Sequence, residues 1–198
     1  MATATERFIT AEAFDDLPNT HGYELIDGHL RRKSMGAESS WIQVTLGALL
    51  VNHVRAGGYG FVFDSECSYD CFPRRPNRVR KPDVSFVRLG RLPDNRIPTG
   101  SIRIAPDFVI EVVSPRDKVT VLADKLADYE SAYVPLIWIV YPSNRIVQVR
   151  TQGAIREFGG RDELTGDPVL PGFRVRVADL FPSAASVETA LPSQDGTP

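Results

Sequence analysis

The chain has 198 residues, 42% of them hydrophobic and 24% charged, with a formal net charge of −2. That is the composition of an ordinary globular protein with one sizeable core, and it excludes a generally basic nucleic-acid coat, so a polyanion must be met by local patches. No apolar run reaches the roughly 20 residues that span a bilayer, and the opening MATATERFITAEAFDD lacks the basic-then-apolar order of a secretory signal, so a cytoplasmic location is expected.

Thr10 reads as the N-cap of a short helix ending near Leu17, with Glu12 in its first turn and Pro18-Asn19 after it. Tyr23 to Ile26, Asp27-Gly28, and His29 to Arg32 form a hairpin pattern, because Asp-Gly tolerates the positive φ of a type I′ turn. Glu24 therefore lies on a strand. From about Ser39 to Ala56, Ile42, Leu46, Leu49, Leu50 and Val54 recur at helical spacing before Gly57-Gly58. Short β-type runs follow at Tyr59 to Phe63, Cys67 to Phe72 and Asp83 to Val87. Cys67 and Cys71 have no second pair or nearby His to complete a zinc site, so they read as reduced thiols.

The run Phe108-Val109-Ile110-Glu111-Val112-Val113 predicts a strand buried on both faces, with an acid in its middle. An unpaired carboxylate there would cost several kcal/mol and calls for protonation, a cationic partner or a metal. A second long helix is predicted over about Asp117 to Ala132, with a stripe of Leu122, Leu126, Tyr129 and Tyr133 and Lys118 and Lys125 at its edge. Leu136 to Tyr141 is another strand buried on both faces. Strand, helix, strand predicts a parallel crossover at the sheet centre. Arg145 to Arg150, Ala154 to Phe158 and Phe173 to Val177 are weaker strands, giving one domain over 1–181 and a tail-like segment over 182–198.

Asp83 after a proline at a strand mouth, Glu111 in a central strand, Glu24 and Lys125 make a set more specific than its members. Two carboxylates plus a main-chain carbonyl, that of Val112, suffice for Mg²⁺, with Mn²⁺ as a substitute, since such hard cations keep several waters. A metal beside an ammonium is the chemistry of phosphodiester hydrolysis. Arg74, Arg75, Arg78, Arg80 and Lys81 crowd the segment leading into Asp83 and are expected to contact phosphates there. Arg31, Arg32 and Lys33 form a second basic cluster, read more readily as a solvated loop. Mutual repulsion between Asp83 and Glu111 would make removal of one charge stabilising in the metal-free protein.

The order YELIDGHL, KPDVSFV, PDFVIEVVSP, DKLADY and VPLIWIVYP resembles the Uma-type restriction endonucleases, formerly a bacterial domain of unknown function in the PD-(D/E)XK nuclease superfamily. The resemblance covers roughly Thr10 to Phe181 and implies an α/β (α+β) fold, a restriction-endonuclease-like mixed sheet flanked by helices. It implies an enzyme, a metal-dependent hydrolase of ester bonds acting on DNA, with Asp83 as the Asp of the PD motif and Glu111 as the (D/E)XK acid. The usual lysine position holds Val113; as in the family, a lysine on the next helix, here Lys125, stands in, with Lys118 as the alternate. Glu24 matches an accessory acid. Ser39 stands where many relatives carry histidine, and His21, His29 and His53 do not obviously replace it. A catalytically weak binding or assembly protein of the same fold, or a hydrolase of another phosphoester, remain alternatives. A two-fold homodimer is expected of a nuclease that cuts two strands with one site per chain.

Overall fold

The computed structural model describes residues 8–115 and 117–182. Helix α1 covers Ala11–Asp15, capped by the Thr10 hydroxyl, which accepts from the Ala13 N–H at 3.2 Å. Strands β1 (Tyr23–Ile26) and β2 (His29–Arg32) form the hairpin, Leu25 opposite Leu30, with Asp27 and Gly28 at φ 50° and 81° in the turn. This hairpin is a two-stranded sheet of its own. It is joined to the rest through Leu25 and Val79, which exchange backbone hydrogen bonds of 3.1 and 2.9 Å.

Helix α2 (Ala37–Gly57) buries Ser39, Ile42, Gln43, Leu46, Leu50 and Val54, and stops where Gly58 turns left-handed. Strands β3 (Gly60–Phe63), β4 (Val84–Arg88), β5 (Phe108–Val112), β6 (Leu136–Tyr141), β7 (Ile146–Thr151) and β8 (Ala154–Phe158) form one sheet in that order. Helix α3 (Val119–Ser131) links β5 to β6, the parallel pair, while the other neighbours are antiparallel. Two strands that sequence reading takes as fully buried, β5 and β6, are the central ones. They are covered on both faces because α2 and the C-terminal segment lie on one side and α3 with the 69–102 loops on the other.

Alternation sorts the residues. Val84, Phe86, Phe108, Ile110 and Val112 pack toward α2, whereas Val87, Val109, Ile137 and Ile139 pack toward α3. Asp83 and Glu111 have the parity of the α3 face. The expected strand at Cys67 to Phe72 is absent, since Tyr69 makes only isolated bridges, to Arg80 and Ile102. A further short pair, β9 (Glu163–Thr165) and β10 (Arg174–Arg176), closes the C-terminal side. The predicted tail lies, from residue 183 on, outside the described residues.

Candidate active site

Val84 faces Ile110 across the antiparallel β4/β5 ladder, so one step further Asp83 comes opposite Glu111. The α3 face of that ladder end is where the acids converge. Asp83 is held from three sides. Its Oδ2 accepts from the Val112 N–H at 2.8 Å, its Oδ1 from Lys33 Nζ at 3.1 Å, and its main-chain carbonyl from Gln43 Nε2 at 2.8 Å. Lys33 Nζ also donates to the Lys81 carbonyl at 2.6 Å.

Glu111 is almost fully buried, at 4% exposure, and accepts from Lys125 Nζ at 2.9 Å and from the Tyr129 hydroxyl at 2.5 Å. Lys125 and Tyr129 are one helical turn apart on α3, which is why one strand residue meets both. Lys125 Nζ lies 3.3 Å from Glu24 Oε1 as well, so one ammonium bridges two carboxylates. Glu24 also accepts from the Lys81 N–H at 3.0 Å and from Arg80 at 3.1 Å.

Burial shapes the protonation of this group. It pushes Glu111 above its ordinary range, and the negative charges of Asp83 and Glu24 add to that against Lys125 and Lys33. For Glu24, burial is outweighed by Lys125, Arg80 and Lys33, which hold it below its usual value. Burial would likewise pull Lys125 down, but Glu111, Glu24 and Asp83 outweigh it and hold the ammonium firmly protonated. Tyr129 is pushed well up by burial first and then by Glu111, so it stays a phenol and donates.

A cavity of about 690 Å³ opens on these residues, lined by Glu24, Asp83, Glu111, Val112 and Lys125 on the inside and by Arg31, Arg32 and Lys118 at the exposed rim. Asp83 and Glu111 supply hard oxygen donors. Among the described residues no group of three or more His, Cys, Asp or Glu side chains is arranged to hold a metal ion. A magnesium-type ion does not require one, since one or two carboxylates plus waters and substrate oxygens are its usual shell. Val112 enters the site through its N–H, on Asp83.

The basic segment before Asp83 departs from expectation. Arg78 and Arg80 are each 1% exposed and Lys81 3%, so they are not surface cations waiting for phosphate. Arg80 pairs with Asp128 at 2.6 Å and Asp124 at 2.7 Å, and Arg78 pairs with Asp27, Asp124 and Asp128. Arg75 reaches Asp124 at 2.6 Å, and Lys81 reaches Glu66 at 2.8 Å. The reason is that residues 77–80 run between the hairpin and α3, where acids on both elements meet them. Arg74 alone of the five is exposed and outside these pairs. Two contributors escaped sequence reading: Lys33, taken as part of a solvated cluster, and Gln43, inside the α2 pattern; Tyr129, read as stripe and matched with Lys125-Leu126 to the family's lysine-bearing helix, was given no role of its own. Ser39, at the histidine position, is buried with its hydroxyl 3.5 Å from the Val113 carbonyl at the end of β5.

A family described as "Uma2: Putative restriction endonuclease" matches residues 11–178. The chain belongs to the Uma2 family. Among solved structures, this Uma2 chain is similar to "a putative nuclease belonging to DUF820 from Anabaena variabilis ATCC 29413", at 24% identity and a TM-score of 0.73. That likeness covers 87% of this chain and 97% of the other, and at such identity it shows the fold. None of the curated proteins matches the Uma2 chain. No helix among the described residues is long and apolar enough to cross a membrane.

Proposed function

We propose that this Uma2 chain is a Mg²⁺-dependent endonuclease that hydrolyses phosphodiester bonds in DNA. The observation that carries the reading is the convergence of Asp83, Glu111, Glu24 and Lys125 at one cavity, with Lys125 Nζ 2.9 Å from Glu111 although it comes from the next helix. Asp83 and Glu111 would hold the ion. When bound, Mg²⁺ or Mn²⁺ supplies charge stabilisation at the phosphoryl oxygens and a more acidic bound water.

The chain's own groups do the positioning. Lys125, held protonated by three carboxylates, acts as an ammonium: it orients a water and neutralises developing charge. Glu24, held ionised, keeps Lys125 in place and offers an acceptor for a water proton. Tyr129 fixes the second oxygen of Glu111. Phosphate contacts fall to the rim residues Arg31, Arg32 and Lys118 and to the exposed Arg74, because Arg75, Arg78, Arg80 and Lys81 are committed to internal pairs. Cutting both strands with one site per chain calls for a two-fold dimer, which sedimentation velocity tests.

One observation favours the non-catalytic alternative. Every carboxylate oxygen of Asp83, Glu111 and Glu24 already has a protein partner. Incubation of plasmid and single-stranded DNA with Mg²⁺ or Mn²⁺ separates the readings. Metal-dependent cleavage lost in Asp83→Ala and Glu111→Ala supports the nuclease; full cleavage by either variant sinks this assignment. Binding without cleavage in any metal supports the alternative.

A further inference from the structure

We propose that Lys33 is a built-in counter-cation: its ammonium holds the place at Asp83 that a divalent ion takes, and metal entry displaces it toward the rim of the cavity. This rests on the metal-binding reading above and adds to it a residue that couples the ion to the substrate. Asp83 has one oxygen committed to the backbone, since Oδ2 accepts from the Val112 N–H at 2.8 Å. Oδ1, the oxygen without a backbone hydrogen bond, is the one more open to a cation, and Lys33 Nζ meets it at 3.1 Å. An ammonium carries no ligand sites, so it and an ion compete for the same oxygen and repel each other.

The two lysines of the site are not equivalent. Lys125 bridges Glu111 and Glu24 from within a regular helix, so expelling it would take a shared cation from two buried carboxylates and leave Glu111 without its ion pair. Lys33 has one carboxylate partner and one carbonyl, and its side chain is 13% exposed to the cavity. It follows directly on β2, with its backbone N–H fixed on the Gly22 carbonyl at 2.8 Å, so the side chain can swing while the chain stays. The cavity it lines is shared with Arg31, Arg32 and Lys118, the rim residues proposed above to meet phosphate. The consequence is reciprocal coupling: metal frees a cation for the phosphate, and phosphate holding that cation away favours metal.

The test uses Mn²⁺ alone, titrated against the full-length protein without DNA and followed by electron paramagnetic resonance of the free ion. Lys33→Met and Lys33→Gln are compared with the natural protein and with Asp83→Asn, after circular dichroism has established that each is folded. Both Lys33 variants are expected to bind Mn²⁺ about 5- to 50-fold more tightly, because no ammonium has to leave. In parallel, acetylation of the natural protein by an N-hydroxysuccinimide ester, read by mass spectrometry, is expected to rise several-fold at Lys33 on Mn²⁺ saturation and to stay flat at Lys125.

Binding that depends on Asp83 but is no tighter in the Lys33 variants overturns the displacement and leaves the metal site standing. Tighter binding without increased labelling of Lys33 overturns it too, since charge acting through space would then suffice. Absence of Mn²⁺ binding in every protein overturns the metal reading and this inference with it. Should both variants fail to fold, the labelling of the natural protein decides alone.

Discussion

Lys125 answers for two acids at once, and removing it exposes that debt. Lys125→Met leaves Glu111 and Glu24 buried without their shared cation, which should destabilise the protein by about 3 kcal/mol. For a chain of this length that lowers the melting temperature by roughly 6–12 °C. Adding Glu111→Gln should recover part of the loss, so urea unfolding of the two single variants and the double variant is expected to give a coupling of about 1–3 kcal/mol. Cleavage by Lys125→Met should fall about 100-fold or more. Asp83 carries a second prediction, opposite in sign to the repulsion argument made from sequence. Because Lys33 compensates it, Asp83→Asn strands an ammonium that is mostly out of solvent. A thermal scan in chelator should show a lower melting temperature, by the equivalent of about 1–3 kcal/mol, and Mn²⁺ should no longer raise it.

At the scale of elements, α3 holds the hairpin through charge. Asp128 is 1% exposed and meets Arg78 and Arg80, so Asp128→Ala should cost about 3 kcal/mol by leaving buried guanidiniums short of partners. The neighbouring Asp124 gives a pH signature. Partial burial would raise it, but hydrogen bonds from Arg75 and Arg78 and the charge of Arg80 outweigh that and hold its carboxyl at about 2, against 3.8 for the free group. A depressed acid stabilises the fold above its unfolded pKa and loses that contribution as pH falls, here between about 4 and 2. Since its side chain is 36% exposed, the contribution is about 1 kcal/mol after screening. Urea unfolding of the natural protein and Asp124→Asn should differ at pH 5 and converge below pH 2.

The same element shows what a sequence can and cannot display. Glu111, Asp83 and Lys125 were legible because a charge inside an apolar strand, or at the border of an apolar stripe, stands out against its neighbours. The pairing of Arg78 and Arg80 was not. Their acids lie 44 to 56 residues away, and a basic run reads the same whether its charges face solvent or a distant helix. Lys33 was lost for the same reason, inside a triplet of cations. Strand β9 escaped because three residues with one buried position, Leu164, carry no periodicity.

For the molecule as a whole, the division between internal and rim cations predicts how binding responds to salt. Replacing Arg31, Arg32 or Lys118 by Gln should weaken DNA binding at constant stability and flatten the log K against log salt line by roughly 1 per lost phosphate contact. Arg78→Gln should instead lower the melting temperature and leave that slope unchanged, and fluorescence anisotropy across a salt series distinguishes the two. The hairpin has a further consequence. It is a two-stranded ribbon outside the main sheet, marginal by itself, yet it carries Glu24 and leads into Lys33. Two of the site's charged residues therefore depend on a unit that pairs with none of the central strands. Amide hydrogen exchange should find residues 23–33 released at a lower free energy than those of β5 and β6, so the pocket can come apart while the fold around it persists.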